Sequence, residues 1–384
     1  MTGCTGQAGS FMVDYLLKNT DYEIYGMVRR LSVSNHKNIN HLKTNPRFHL
    51  FSGDLTDGHS LQKSIEDIKP DYYINAGAQS LVSESWTSPV NTFQTDAVSL
   101  IYILEAIRKT VPHCRFVNFG SSEQFGDVIY TPQDIKHPFR SRSPYAAAKV
   151  AAHQIVKVYK ESYNLYAIQP ICFNYEGSRR GLEFVTRKIT HGVAQIYKSI
   201  KNNQPVIPIE LGNINSQRDW SDCEDFVDGI WRMLNQDEYS LDLNKKIGEF
   251  RYSDTNGGAT IGPDIERYNK NLNNVLSKNI KEYVLSSGVT HTIRNFVELA
   301  FENIDVKGEW VGEGVNEFFR YKNNSKTLDC KLMIINPKFY RPTEVSLLCG
   351  DSAPIRQELG WCPKISFPDL VKKMVQTDIS LIEF

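Results

Sequence analysis

The first half of this sequence predicts a doubly wound parallel α/β sheet, followed by a smaller mixed α/β domain. Three observations carry that expectation. Short β-branched or aromatic runs alternate with longer amphipathic ones, a glycine-rich turn opens the chain just before an amphipathic stretch, and the regular alternation stops near residue 174.

In chain order, residues 22–28, 48–51, 71–75 and 115–119 read as strands, and 9–18, 60–69, 89–109 and 144–163 read as helices. Such alternation places ligands at the carboxyl ends of the strands. The organisation expected is a cofactor-binding domain over 1–173 and a mostly substrate-binding domain over 174–384, some segments of which return to the first. Residues 237–281 are rich in Asn, Lys, Asp and Gly, and their composition predicts an inserted polar excursion.

Composition narrows the function classes. The 384 residues carry 44 basic and 44 acidic side chains, so no global field attracts nucleic acid or an anionic membrane. The seven cysteines are scattered and lack Cys-x-x-Cys spacing, which argues against a disulfide framework and a zinc site and fits reduced thiols in the cytoplasm. No run of eighteen apolar residues predicts a membrane span.

The opening turn reads Thr-Gly-Cys-Thr-Gly-Gln-Ala-Gly, with Gly3, Gly6 and Gly9 spaced by three and Gln7 between the last two. Glycines there let backbone approach a pyrophosphate at a helix N-terminus, where unpaired N–H groups and the helix dipole favour negative charge. About twenty residues on, Arg29 and Arg30 follow the first predicted strand. An NAD-specific fold places an acid there, so arginine suits the 2′-phosphate of NADP. Asp54 and Leu55 close the next strand, and Gly77, Ala78, Gln79 and Ser80 follow the one after, where adenine and nicotinamide-ribose contacts belong. The glycine turn starts at residue 2, without the apolar strand that ordinarily precedes such a turn; that strand is expected either upstream or lost.

Tyr145 and Lys149 stand four apart at the start of a predicted helix and so share a face. A phenol ordinarily loses its proton near pH 10, so a tyrosine base near neutrality requires roughly 4 kcal/mol in favour of the phenolate, and a neighbouring ammonium supplies attraction of that sign. The loop after the preceding strand offers Ser121 and Glu123, a hydroxyl and a carboxylate able to reach a sugar held beside that tyrosine.

Taken together, these motifs resemble the GDP-mannose 4,6-dehydratases of the extended short-chain dehydrogenase/reductase superfamily, which have a Rossmann-type fold. The resemblance rests on Thr-Gly-x-Thr-Gly-Gln at 2–7, Val-Arg-Arg at 28–30, Gly-Asp-Leu-Thr-Asp at 53–57, Gly-Ala-Gln-Ser at 77–80 and Arg-Ser-Pro-Tyr-x-x-x-Lys at 142–149. It continues through Arg-Arg-Gly at 179–181, Phe-Val-Thr-Arg-Lys at 184–188, Leu-Gly-Asn at 211–213, Arg-Asp-Trp at 218–220 and Tyr-Arg-Pro-Thr-Glu-Val at 340–345.

The resemblance implies an internal redox cycle. Tyr145 takes the C4 hydroxyl proton as hydride passes to NADP, Glu123 removes the C5 proton, Glu123 and Ser121 help the C6 hydroxyl leave as water, and hydride returns to C6. It further implies that Ser80, Asn174, Lys188, Arg218, Arg341 and Glu344 hold a GDP-sugar, that Tyr175 and Arg180 contact the cofactor, and that the protein is a homodimer or homotetramer. Ser121 replaces a usual threonine, and Ala8, Leu81, Asn91, Phe125, Tyr175 and Glu183 also depart from the family pattern. The departures leave two alternatives open: a dehydratase or C4 dehydrogenase for GDP-manno-heptose, and a non-catalytic nucleotide-binding relative.

Overall fold

The computed structural model describes residues 1–33, 35–240, 243, 245–247, 275–322, 330–340, 345 and 347–382. Strand β1 (Ile24–Val28) pairs in parallel with β2 (Phe48–Ser52), while β3 (Tyr72–Asn75) pairs in parallel with β4 (Arg115–Asn118), which in turn pairs with β5 (Ala167–Ile168). Past Gln169 and Pro170 the chain continues as β6 (Ile171–Cys172), paired in parallel with Val284–Leu285. Met1 and Thr2 fill the gap between β1 and β3: Met27 N donates to Met1 O at 2.9 Å and Thr2 N donates to Ile74 O at 3.0 Å. Two residues therefore occupy the position of the expected opening strand.

Strand order reverses on either side of that position, which makes it the switch point of a Rossmann-type sheet. Two cores cover the sheet. One packs the helices Gln7–Asn19 and Cys223–Leu234 against one face, and the other packs Gly58–Ile68, Ser99–Thr110 and Pro144–Tyr163 against the opposite face. A third core fills a four-stranded mixed sheet of Gly308–Val311, Phe318–Tyr321, Lys331–Ile335 and Ile209–Leu211, covered by the helices Val185–Lys201, Ile293–Glu302 and Phe367–Ser380.

Local chemistry sets the element ends. Ser143 caps the helix Pro144–Tyr163 by accepting from Ala146 N at 3.1 Å, Pro144 suits its first turn, and Asn164 ends it in a left-handed conformation at φ 56°. The run expected as one helix over 89–109 is interrupted: the helices Pro89–Phe93 and Ser99–Thr110 are joined by a π-helical turn, Gln94–Val98. Within 237–281, the described residues at both ends are rooted in the protein. Asp237 forms a bidentate ion pair with Arg115 of β4 at 2.7 Å, and Leu243, Ile247, Leu276 and Ile280 enter the first core.

One buried carboxylate ties the second domain to the sheet. Asp219 accepts from Ser287 N and Oγ at 2.7 and 2.6 Å, from Gly288 N at 2.9 Å and from Gly350 N at 3.2 Å. These bonds bind the Arg218–Trp220 segment to the chain that leaves Val284–Leu285. Asp219→Ala removes the shared acceptor and strands the buried Gly350 amide, while Ser287 and Gly288 can turn to water, so it is expected to lower the unfolding free energy by about 2 kcal/mol in a denaturant titration.

Candidate active site

The helix Pro144–Tyr163 starts beneath the carboxyl end of β4, and its first two turns carry Tyr145 and Lys149 into the interior. The Lys149 ammonium donates to Phe119 O at 3.0 Å, stands 3.8 Å from Asp96 Oδ2 and lies 5.7 Å from the centre of the Tyr145 ring. The Ser121 hydroxyl faces the Tyr145 phenol and favours its ionised form. It also caps the short turn Ser122–Gln124, accepting from Glu123 N at 3.3 Å, which fixes Glu123 at the same edge. Burial pushes the Tyr145 phenol above its ordinary value, Lys149 pulls it down, and Asp96 adds to the rise. Burial alone would lower Lys149, but the facing Asp96 and Tyr145 hold it above the ordinary lysine range.

The glycine turn is built by close approach. Gly3 has φ +67°, and a Cβ there would lie 2.5 Å from Gly77 N; a Cβ on Gly9 would lie 2.1 Å from Gly3 O. The first turn of Gln7–Asn19 is thereby pressed onto the loop after β3. That helix has no side-chain cap, so its free N–H groups point out of the turn. Gln7 Nε2 donates to Tyr175 O at 3.0 Å, while its Oε1 is buried without a partner among the described residues. This cradle, which side chains would fill, fits a dinucleotide pyrophosphate.

The other expected cofactor residues are distributed around it. Arg29 and Arg30 are exposed at the end of β1. Asp54 accepts from Thr56 N at 2.8 Å and shapes the turn after β2, and Leu55 is buried in the second core. The Gln79 amide is occupied by Leu81 of its own loop and by Thr92 of the helix Pro89–Phe93, and its backbone N donates to Asp96 at 2.7 Å. Ala78 is half-buried beside it.

A cleft of about 490 Å³ joins the two domains. Ser80, Leu81, Trp86, Ser121, Glu123 and Tyr145 line it from the first domain, and Asn174, Tyr175, Arg180, Lys188, Arg218, Phe339 and Tyr340 line the opposite wall. Lys188 Nζ sits 3.5 Å over the Phe339 ring, and partial burial holds its ammonium below the usual lysine range. Asn174 Oδ1 is buried without a partner among the described residues. Arg180 is paired with buried Glu176 at 3.1 Å and stacked on Phe184 at 3.5 Å. The carbonyls of Ser178 and Arg180 accept from the Arg187 guanidinium, itself paired with buried Asp378 at 2.6 Å. Arg341 and Glu344 lie outside the described residues.

Sequence reasoning missed Asp96 and the aromatic mouth. Asp96 is an isolated acid on the buried side of an apolar helical run, a position that burying its charge makes costly, and that was the available signal. Trp86, Phe339 and Tyr340 are among the exposed large aromatics and gave no pattern before folding.

Comparison with known proteins agrees with the geometry. The family described as GDP-mannose 4,6 dehydratase matches residues 1–254 and 264–374. The chain belongs to the GDP-mannose 4,6-dehydratase family. A GDP-mannose 4,6 dehydratase of Drosophila melanogaster is 39% identical over 390 residues, spanning 100% of this chain and 86% of the relative. Among solved structures, a UDP-glucose 4-epimerase of Thermotoga maritima with UDP-glucose aligns with TM-score 0.72 at 17% identity, over 100% of this chain and 98% of that one. The protein RMD of Pseudomonas aeruginosa complexed with NADPH aligns with TM-score 0.67 at 18% identity, over 99% of this chain and 98% of that one.

In the cofactor-loaded protein, Lys149→Met removes the ammonium that opposes the burial of the Tyr145 phenol. The phenol then rises further, less of it is ionised at a given pH, and the acidic limb of kcat/KM moves to higher pH. Activity near neutrality is expected to fall by about 100-fold or more, read from a pH–rate profile.

Proposed function

We propose that this protein converts GDP-mannose to GDP-4-keto-6-deoxymannose with NADP bound in the glycine cradle. The observation that carries the reading is the meeting, in one cleft, of Tyr145, Ser121 and Glu123 with the cations Lys188 and Arg218 on the facing wall, while Lys149 backs the tyrosine from the interior. The cations suit the pyrophosphate of a nucleotide-sugar, and the reacting sugar then extends toward Tyr145.

Tyr145 takes the proton of the C4 hydroxyl, with Lys149 stabilising the phenolate and Ser121 orienting it. A nicotinamide cofactor held by the glycine cradle at Gly3, Gly6 and Gly9 would supply the hydride chemistry at C4 and C6. The C4 ketone acidifies the C5 proton, which Glu123 removes. Glu123, now protonated, and Ser121 assist the C6 hydroxyl to leave as water, and a proton drawn from solvent returns to C5 as C6 is reduced. No net oxidant is consumed.

Arg29 and Arg30, exposed past β1, suit the 2′-phosphate that distinguishes NADP from NAD. Replacing both with Ala is expected to weaken NADP binding by about tenfold or more and leave NAD binding nearly unchanged, measured by fluorescence titration of the reduced cofactors.

Mass spectrometry of purified protein incubated with GDP-mannose tests the reaction: loss of one water supports it, and cofactor-loaded protein that removes no water overturns it. A product oxidised at C4 without water loss would mark a C4 dehydrogenase instead. Glu123→Gln is expected to slow water loss by about 100-fold or more and to abolish solvent deuterium incorporation at C5.

A homo-oligomer is also proposed. Val90, Ile101 and Tyr102 stand exposed near Val158 and Tyr163 on neighbouring helices, a face apolar enough for a second copy. Light scattering giving the molar mass of a single chain would overturn it.

A further inference from the structure

Behind the catalytic pair, the carboxyl ends of the strands carry a run of amides that the mechanism above does not use. Asn75 ends β3, Asn118 ends β4 and Gln169 follows β5. Asn75 Nδ2 donates to Asn118 Oδ1 at 2.8 Å, and Asn118 Nδ2 donates to Gln169 Oε1 at 2.6 Å. Gln169 Nε2 donates to Lys149 O at 3.0 Å and to Gln124 Oε1 at 3.3 Å. Gln124 Oε1 also accepts from Ser121 N at 3.0 Å. At the other end Thr2 Oγ1 donates to Asn75 Oδ1 and accepts from Gly77 N at 3.1 Å. Thr2, Asn75, Asn118, Gln124 and Gln169 are each at most 2% exposed.

The orientation of every member is dictated. Lys149 O is only an acceptor and Ser121 N only a donor, so Gln169 must present its NH₂ and Gln124 its oxygen. Gln169 then has only Oε1 left for Asn118, Asn118 only Oδ1 for Asn75, and Asn75 only Oδ1 for the Thr2 hydroxyl. Reversing one amide would set oxygen against oxygen and NH₂ against NH₂ among side chains at most 2% exposed, so the chain of bonds has one low-energy state. Its two ends are the loop at Gly77, against the glycine cradle, and the two catalytic turns at Ser121 and Lys149.

We propose that Asn118 and Gln169 are positioning residues of the dehydratase: the amide chain holds the turns bearing Ser121 and Lys149 in fixed register with the cofactor loop at Gly77. This rests on the function proposed above for its kinetic readout. Within that reading, the reacting groups and the hydride path are aligned by one shared set of bonds rather than by separate packing.

A double-mutant cycle on the cofactor-loaded protein tests it, with Asn118→Leu, Gln169→Met and the double variant. Each single variant is expected to lower kcat for water loss by about 100-fold with KM changed by no more than about twofold, since misplacement on this scale acts on the chemical step. The Ser121 amide is expected to exchange with solvent faster in both. The double variant should lose no more than the worse single one, because either break opens the same chain.

Folded variants with the wild-type kcat, an unchanged exchange rate at Ser121, or multiplicative losses in the double variant would each overturn the proposal. Gln169→Glu, which keeps the acceptor and loses the donors, replaces any variant that fails to fold. The two readings fail separately: wild-type protein inert toward GDP-mannose defeats the assigned reaction, while exchange at Ser121 reports on the amide chain whatever the sugar.

Discussion

Everything in the active site depends on an ammonium group held out of water. Lys149 is 3% exposed, and a cation so placed is costly unless its surroundings compensate. Phe119 O, Asp96 and the Tyr145 ring provide that compensation from three different elements: the end of β4, the π-helical turn and the first turn of the helix Pro144–Tyr163. Each contact satisfies the charge and also fixes where it sits. The tyrosine is therefore tuned by a cation that is itself immobile, and the low-dielectric surroundings make their mutual attraction count.

The second domain contributes by a similar logic. Arg187 and Asp378 form a buried pair whose remaining donor holds the carbonyls of Ser178 and Arg180, so the loop carrying Arg180 is clamped from below. Asp219 does the same for the strand that presents Arg218. Charged residues that line the cleft are thus backed by charged residues that never reach it. The Arg-Asp-Trp and Thr-Arg-Lys stretches of the sequence each contain one member of either kind.

Much of this was legible before folding. The glycine spacing, the four-residue separation of Tyr145 and Lys149 and the hydroxyl and carboxylate at 121 and 123 are local patterns, and the structure brings them to one place because the sheet aligns its strand ends. The doubly wound sheet itself followed from alternation of element types, and the helix over 144–163 from its amphipathic run, while its Ser143 cap and left-handed Asn164 came with the structure. What was not legible depends on contacts between distant segments. Asp96 reads as an ordinary polar residue until the helix is seen to bury it, and the anchoring of the 237–281 ends by Arg115 and the first core cannot be inferred from a polar composition. The placement of Met1 and Thr2 between β1 and β3 was equally hidden, since they become strand-like only through partners at Met27 and Ile74.

The π-helical turn at Gln94–Val98 places one more residue in a turn than an α-helix holds. Such a turn absorbs its extra residue locally. Shortening it by one residue would restore a regular helix with the flanking turns nearly in phase but would redirect the side chains within Gln94–Val98, carrying Asp96 off the side that faces Lys149. A chain built this way is tolerant of substitution along the apolar stripe of that helix but intolerant of any change in length ahead of it, so insertions and deletions at this point should be filtered far more severely than replacements of the same residues.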